Sequence, residues 1–102
     1  MQPIQIIGID EIKEEEEKSI IATISEEYRS KIQVHFKDDV SIVLHVKQHS
    51  KGGTRKKSDI RVKVNAPSKM FEAQESDWDL MRTLHKVFKN IEREIEHKLK
   101  VV

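Results

Sequence analysis

The sequence contains no cysteine. That excludes a disulfide framework and thiolate metal sites, and it suits a reducing cytosol. Only five residues are aromatic (one Trp, one Tyr, three Phe), so any core must be built mainly of Ile, Val and Leu. No apolar run approaches the roughly 18 residues that a membrane span requires, and no membrane partner is expected. The N-terminus has no positively charged region leading into an apolar stretch, which is the mark of a secretory signal. A cytoplasmic protein is the expectation.

Motifs for catalysis and cofactors are missing as well. Glu94-Ile95-Glu96-His97 does not have the His-Glu-x-x-His spacing of a zinc protease, and no two of the five histidines fall at i and i+4 on a helix. His45 and His49 lie four apart on a strand, too far to share a ligand without a bulge. Gly52-Gly53 has neither Walker spacing nor the Gly-x-x-Gly pattern that clamps a nucleic-acid backbone. His85, beside an apolar stripe, reads as packed rather than catalytic. The expectation is a non-enzymatic protein with no catalytic residue, metal, cofactor or small-molecule substrate.

What is present is charge and periodicity. At 102 residues the chain has room for one core, so residues 1–102 are expected to form a single domain. Hydrophobic and charged residues each make up 36%, a soluble and rather polar composition. The net charge of +1 hides an asymmetry. Residues 1–50 carry 6 Lys/Arg against 10 Asp/Glu, and residues 51–102 carry 13 against 8. Seven cations crowd into 47–63 (Lys47, Lys51, Arg55, Lys56, Lys57, Arg61 and Lys63) with Asp59 as the sole acid. Attraction of a polyanion depends on local potential more than on total charge, so this segment is where a phosphate backbone would be drawn.

Hydrophobic spacing predicts the elements. Gln2 to Gly8 reads as a short strand on Ile4, Ile6 and Ile7. Glu14–Glu17 opens a helix, since carboxylates in a first turn are favoured by the helix dipole. Ile20, Ile21, Ile24, Tyr28, Ile32 and Phe36 follow at spacings of three or four as one stripe, and Asp38-Asp39 ends it in a turn. The period then falls to two. Val40, Ile42, Leu44 and Val46 predict a half-buried strand, and Ile60, Val62 and Val64 predict the next. The polar stretch Ser50–Ser58 between them reads as a hairpin loop. Ala66-Pro67-Ser68 is a turn, and Met70–Glu75 a last strand. Ser76 is expected to cap a second helix with Asp77 and Asp79 in its first turn. Trp78, Met81, Leu84, Phe88, Ile91, Ile95 and Leu99 would form its apolar stripe. The order β-α-β-β-β-α predicts an α+β fold: one mostly antiparallel sheet with both helices on one face and the other face bare.

Three sets of cations are candidates for nucleic-acid contact. The loop from Lys51 to Lys57 offers four cations, with glycines that let a backbone come close; a solvated hairpin tip carries similar charge. His45, Lys47 and His49 share one strand parity, and Arg61 and Lys63 share the parity opposite Ile60 and Val62. Polar-out alternation alone explains their polarity but not their nearly uniform sign. Arg82, Lys86, Lys89 and Arg93 are spaced 4, 3 and 4, forming a ridge on the second helix, although a salt-bridged surface helix has the same pattern. Trp78 could stack on a base, but its place in the apolar register favours packing against the sheet.

Taken together, the opening Ile4-Gln5-Ile6-Ile7-Gly8, the charged first helix, the strand pair around a basic hairpin and the acidic-capped Ser76-Asp77-Trp78-Asp79 resemble the ribosome hibernation-promoting factor family, also called protein Y or ribosome-associated inhibitor A. The resemblance runs from Ile4 to about Leu99 and rests on order and spacing rather than on one sharp motif. It implies a β-α-β-β-β-α fold and a non-catalytic factor that binds small-subunit rRNA in the channel used by messenger and transfer RNA, blocking translation in idle ribosomes under stress. It implies that basic residues do the holding; here the matching positions are Lys86, Lys89, Arg93 and the cations of 47–63. The chain departs from the pattern in its longer basic hairpin. It also lacks the extension with which long members pair ribosomes, so no obligate dimer is expected. Two other classes stand beside this reading: a general double-stranded-RNA module, whose α-β-β-β-α order is close, and a protein-interaction domain with a basic rim.

Overall fold

The computed structural model describes residues 4–50, 56–67 and 69–100. Strand β1 (Gln5–Ile7) leads through a single 3-10 turn (Ile9–Glu11) to helix α1 (Glu15–Gln33); β2 (Ser41–Ser50), β3 (Lys56–Asn65) and β4 (Met70–Asp77) follow, and α2 (Leu80–Lys100) closes the chain. The strands lie in the order β1-β2-β3-β4, with β1 parallel to β2 and the other pairs antiparallel. The parallel pair follows from the connection, because α1 carries the chain back over the sheet before β2 begins. This is the expected α+β architecture.

Alternation puts the apolar residues of the strands on one side. Ile42, Leu44 and Val46 of β2, Ile60, Val62 and Val64 of β3, and Phe71 of β4 are all buried. Helix α1 covers them with Ile21, Ile24, Tyr28 and Ile32, and α2 with Leu80, Leu84, Val87, Phe88, Ile91 and Ile95. The Tyr28 ring stacks on Phe88 with centroids 4.7 Å apart, and its hydroxyl hydrogen-bonds His85 Nδ1 at 3.0 Å. Burial pushes the Tyr28 hydroxyl pKa up, with Glu92 and Glu27 adding to the shift. His85, read from the sequence as packed, is exposed and joins the two helices only through this contact with Tyr28. Ile20, read as part of the α1 stripe, is 40% exposed, and Phe36 lies beyond the end of α1, half-buried against Phe71.

Two polar devices fix the chain between elements. Gln33 ends α1 by donating to the Asp38 carbonyl (2.8 Å) and accepting from the Val40 N–H (3.1 Å), which ties the Asp38-Asp39 turn to the helix. Gly8 has φ +91°, and a Cβ there would run into the Val46 carbonyl oxygen. Only glycine suits that combination of left-handed backbone and close approach.

The boundaries differ from the expectations in two places. Strands β2 and β3 continue into residues read as loop: Gln48 pairs with Ser58, His49 with Lys57 and Ser50 with Lys56. A ladder is made of backbone groups, so polar side chains do not stop it. Lys51, Gly52, Gly53 and Arg55 lie outside the described residues, as do Gln2, Ser68 and the side chain of Leu99. The Ala66 turn is closed by mutual backbone hydrogen bonds between Ala66 and Lys69. The second correction concerns α2. Because β4 runs on to Asp77, Ser76 is a strand residue paired with Asp59. The cap falls instead to Asp79, whose Oδ1 accepts from the Arg82 N–H at 3.1 Å. Trp78 therefore precedes the helix and is 44% exposed rather than packed against the sheet.

Phe88 is fully buried between α1 and the sheet. Phe88→Ala should cost about 3–5 kcal/mol as a large-to-small core change, measured by urea unfolding. A loss under about 1 kcal/mol would mean that this ring does not anchor the helix pair.

Candidate nucleic-acid interface

The face of the sheet turned away from the helices is the first candidate site. Its rows follow from the register: Val43, Lys63 and Glu72; His45, Arg61 and Gln74; Lys47, Asp59 and Ser76; then His49 and Lys57. Side chains in one row stand beside each other on adjacent strands. Of the sequence candidates, the sheet gathers Lys47, Lys57, Arg61 and Lys63 here, with His45 and His49 among them. A shallow depression of about 240 Å³, lined by His45, Lys47, His49, Asp59, Arg61 and Gln74, lies on this face.

Part of that charge is already neutralised. Arg61 Nε sits 3.5 Å from Glu72, and Nη2 donates to Gln74 at 3.2 Å. Asp59 accepts from the Ser76 hydroxyl and pairs with His49 Nε2 at 2.9 Å. The Ser76 hydrogen bond is the main reason the Asp59 carboxyl is held below its ordinary value; His49 and Lys57 act in the same direction, against partial burial. Sequence reading missed Glu72, because only the register of β4 shows that it faces the cations of β3. Lys47 and Lys63 make no ion pair among the described residues and carry the uncompensated charge.

Lys56 is not part of this face. Alternation sends it to the side opposite Lys57, where it borders a cleft with Glu14, Glu17 and Trp78. Lys56 and Lys57 thus lie on opposite sides of the sheet.

The α2 cations form the second candidate surface. At 100° per residue, Arg82, Lys86, Lys89 and Arg93 centre on the side of α2 diametrically opposite Leu84, Phe88, Ile91 and Ile95. All four are exposed. At the start of the ridge, Asp77 draws in Lys86 Nζ (3.5 Å) and Arg82 Nη1 (4.0 Å). The Asp77 carboxyl is held below its ordinary value chiefly by the Trp78 backbone N–H, with Lys86 and Arg82 adding, against some desolvation. Lys89 and Arg93 make no ion pair among the described residues. Since α2 packs on the inner face of the sheet, the ridge and the sheet face look in opposite directions. Sequence spacing found both sets but could not show that the body separates them.

Among the described residues no group of three or more His, Asp or Glu is placed to hold a metal ion, and no helix is long and apolar enough to cross a membrane.

No family model and no curated protein matches the sequence. Solved structures do match. The N-terminal domain of Protein Y from Thermus thermophilus superposes with a TM-score of 0.72 at 13% identity, covering 95% of this chain and 98% of that one. A ribosomal subunit interface protein from Coxiella burnetii superposes with a TM-score of 0.53 at 18% identity, with the same coverage. At these identities the likeness establishes a shared fold, the one the sequence resemblance implied.

The Asp59 contacts give a pH prediction. A carboxyl depressed below its ordinary value of 3.8 contributes stability that is present above that value and lost as pH falls through the folded pKa. Ser76→Ala removes the largest cause of the depression. Carbon NMR titration should then show the Asp59 pKa rising towards 3.8, and the acid-induced stability loss in this range should become shallower. An unmoved Asp59 titration would show that the Ser76 hydroxyl does not hold the carboxylate.

Proposed function

We propose that this protein is a ribosome-binding factor that holds small-subunit rRNA and inhibits translation by occupying the path of messenger and transfer RNA. The observation that carries the reading is the placement, on both broad sides of a thin body, of cations that make no ion pair among the described residues. The principal-axis extents are 49 × 25 × 17 Å. Lys47 and Lys63 mark one side, Lys89 and Arg93 the other. A protein that meets RNA on one surface needs charge on one surface only. Charge on two opposed surfaces suits a partner that surrounds it, as an RNA-walled channel does. The fold shared with Protein Y and with a protein described as a ribosomal subunit interface protein supports the same reading.

In this reading Lys47, Lys57, Arg61 and Lys63 contact phosphates from the sheet face, and Arg82, Lys86, Lys89 and Arg93 from the helix ridge. Lys51, Arg55 and Lys56 belong to the proposal through their place in the basic hairpin sequence. Phosphate contacts hold and orient without reading bases. Inhibition then arises from occupancy: it is stoichiometric with ribosomes, reversible and leaves the rRNA intact. A cytoplasmic location follows from the partner.

The test is salt dependence. Each neutralised phosphate contact releases counterions and contributes roughly 0.7–0.9 to the slope of log K against log salt. Lys47→Ala, Lys57→Ala and Lys63→Ala combined should weaken binding to vacant small subunits and flatten that slope by about 2 to 3. Folding should survive, because none of the three is in the core. Subunits already carrying messenger and transfer RNA should bind the wild-type chain more weakly. An unchanged slope would remove the sheet face from the interface. Equal affinity for vacant and programmed subunits would put the protein outside the channel, and equal affinity for any RNA duplex would favour a general duplex-binding module.

A further inference from the structure

Two of the five histidines, His45 and His49, stand on the cationic face of the sheet, on either side of Lys47 in β2. They line the shallow depression there together with Lys47, Asp59, Arg61 and Gln74. Their situations differ. His45 is exposed beside Arg61 and makes no hydrogen bond or ion pair among the described residues. His49 Nε2 lies 2.9 Å from an Asp59 carboxylate oxygen. The charged groups that face the two rings come from three strands. Lys47 belongs to β2, Lys57, Asp59, Arg61 and Lys63 to β3, and Glu72 to β4; β1 turns only the uncharged Gln5 and Ile7 outward. The helices lie on the other side of the sheet. With both imidazoles neutral, four cations against two carboxylates leave the described part of this face at a formal +2, and with both protonated it stands at +4.

We propose that the sheet face takes up protons at His45 and His49 when it binds RNA, so that its grip tightens as pH falls from about 8 to about 5.5. The proposal rests on the RNA-binding reading above and adds the regulation of that site. Histidine is the side chain whose ordinary charge change falls between about pH 5 and 8. Lysine and arginine stay charged across that range. Asp59, held below its ordinary value above all by the Ser76 hydroxyl, stays ionised. The two imidazoles are therefore the groups here whose ordinary titration can change the potential that a phosphate backbone meets. Each acts in its own way. Protonated His45 is an added cation that faces solvent, whereas protonated His49 cancels the Asp59 carboxylate that RNA would otherwise meet. A phosphate stabilises the charged ring and not the neutral one, and the linkage is reciprocal: RNA favours proton binding as much as protons favour RNA binding. The sign follows. The extra affinity is fully present once both rings are charged in the free protein, and it is lost as pH rises through the titration of the bound protein.

The experiment measures binding of the full chain to vacant small subunits at about pH 8 and about pH 5.5 at fixed ionic strength. One added phosphate contact is worth roughly 5- to 8-fold in affinity at about 0.1 M salt, and roughly 0.7–0.9 in the salt slope. The wild-type chain should therefore bind at least about 5-fold more tightly at the lower pH, with a steeper slope. His45→Gln combined with His49→Gln should bind as the wild type does at the higher pH and gain nothing at the lower. His45→Lys combined with His49→Lys fixes the charge and should bind tightly at both. The other histidines lie elsewhere: His35 is 3.9 Å from Glu96, His85 contacts Tyr28, and His97 follows Arg93 by one turn of α2. His97→Gln is the comparison and should keep the pH response. Circular dichroism should show every variant folded. A wild-type chain without pH response, a response that survives the double Gln variant or disappears with His97→Gln, or a folded Lys variant that binds weakly at the higher pH would each overturn the inference and leave the RNA-binding reading standing. Absence of subunit binding at both pH values would overturn both.

Discussion

The in-register pairing of β2 with β3 is the constraint on which the rest depends. Ten consecutive residue pairs, from Ser41 with Asn65 to Ser50 with Lys56, fix which side of the sheet every side chain takes. Side chains alternate with a period of two, so a slip of one residue in either strand would exchange its two faces. Ile60, Val62 and Val64 would go into water, and Arg61 and Lys63 would go beneath the helices without partners. Apolar burial favours the observed register at every second position, and the cost of burying charge forbids the alternative at the positions between. The same alternation that builds the core therefore displays the cations. Core and candidate interface are two sides of one pattern.

Electrostatics then grades the displayed charges. Asp59, Glu72 and Asp77 lie against His49, Arg61 and Lys86, residues that sequence spacing presents as equal to their neighbours. Exposed pairs of this kind contribute little to stability, but they lower the local potential that a polyanion meets. What remains for long-range attraction is Lys47 and Lys63 on one side and Lys89 and Arg93 on the other. The acidic start of α1, from Glu14 to Glu17, sets a boundary that a phosphate backbone would avoid.

Much of this was legible in the sequence. The change of period from 3.6 to 2 near Val40 gave the element order, and strand parity separated the apolar set from His45, Lys47, Arg61 and Lys63. The extra length of β2 and β3 was not legible, since Gln48, His49, Lys57 and Ser58 carry no apolar signal and are held by backbone pairing. That same pairing extends β4 to Asp77, which displaces the start of α2 past Ser76 and frees Trp78 from the core. Local cap chemistry could not reveal this, because Ser76, Asp77 and Asp79 are all good capping residues and only the length of the ladder chooses among them. Likewise, the opposition of the α2 ridge to the sheet face is a property of the layered body rather than of either element.

Whether both broad sides meet RNA at once is tested most directly by lysine reactivity. The protein would be acetylated alone and on vacant small subunits, and each lysine compared by mass spectrometry. Lys47, Lys57 and Lys63 on the sheet face should be protected together with Lys86 and Lys89 on α2. Lys13 and Lys18, which flank the acidic run before and within α1, should keep their reactivity. Protection confined to one side, or centred on Lys13 and Lys18, would contradict enclosure by RNA.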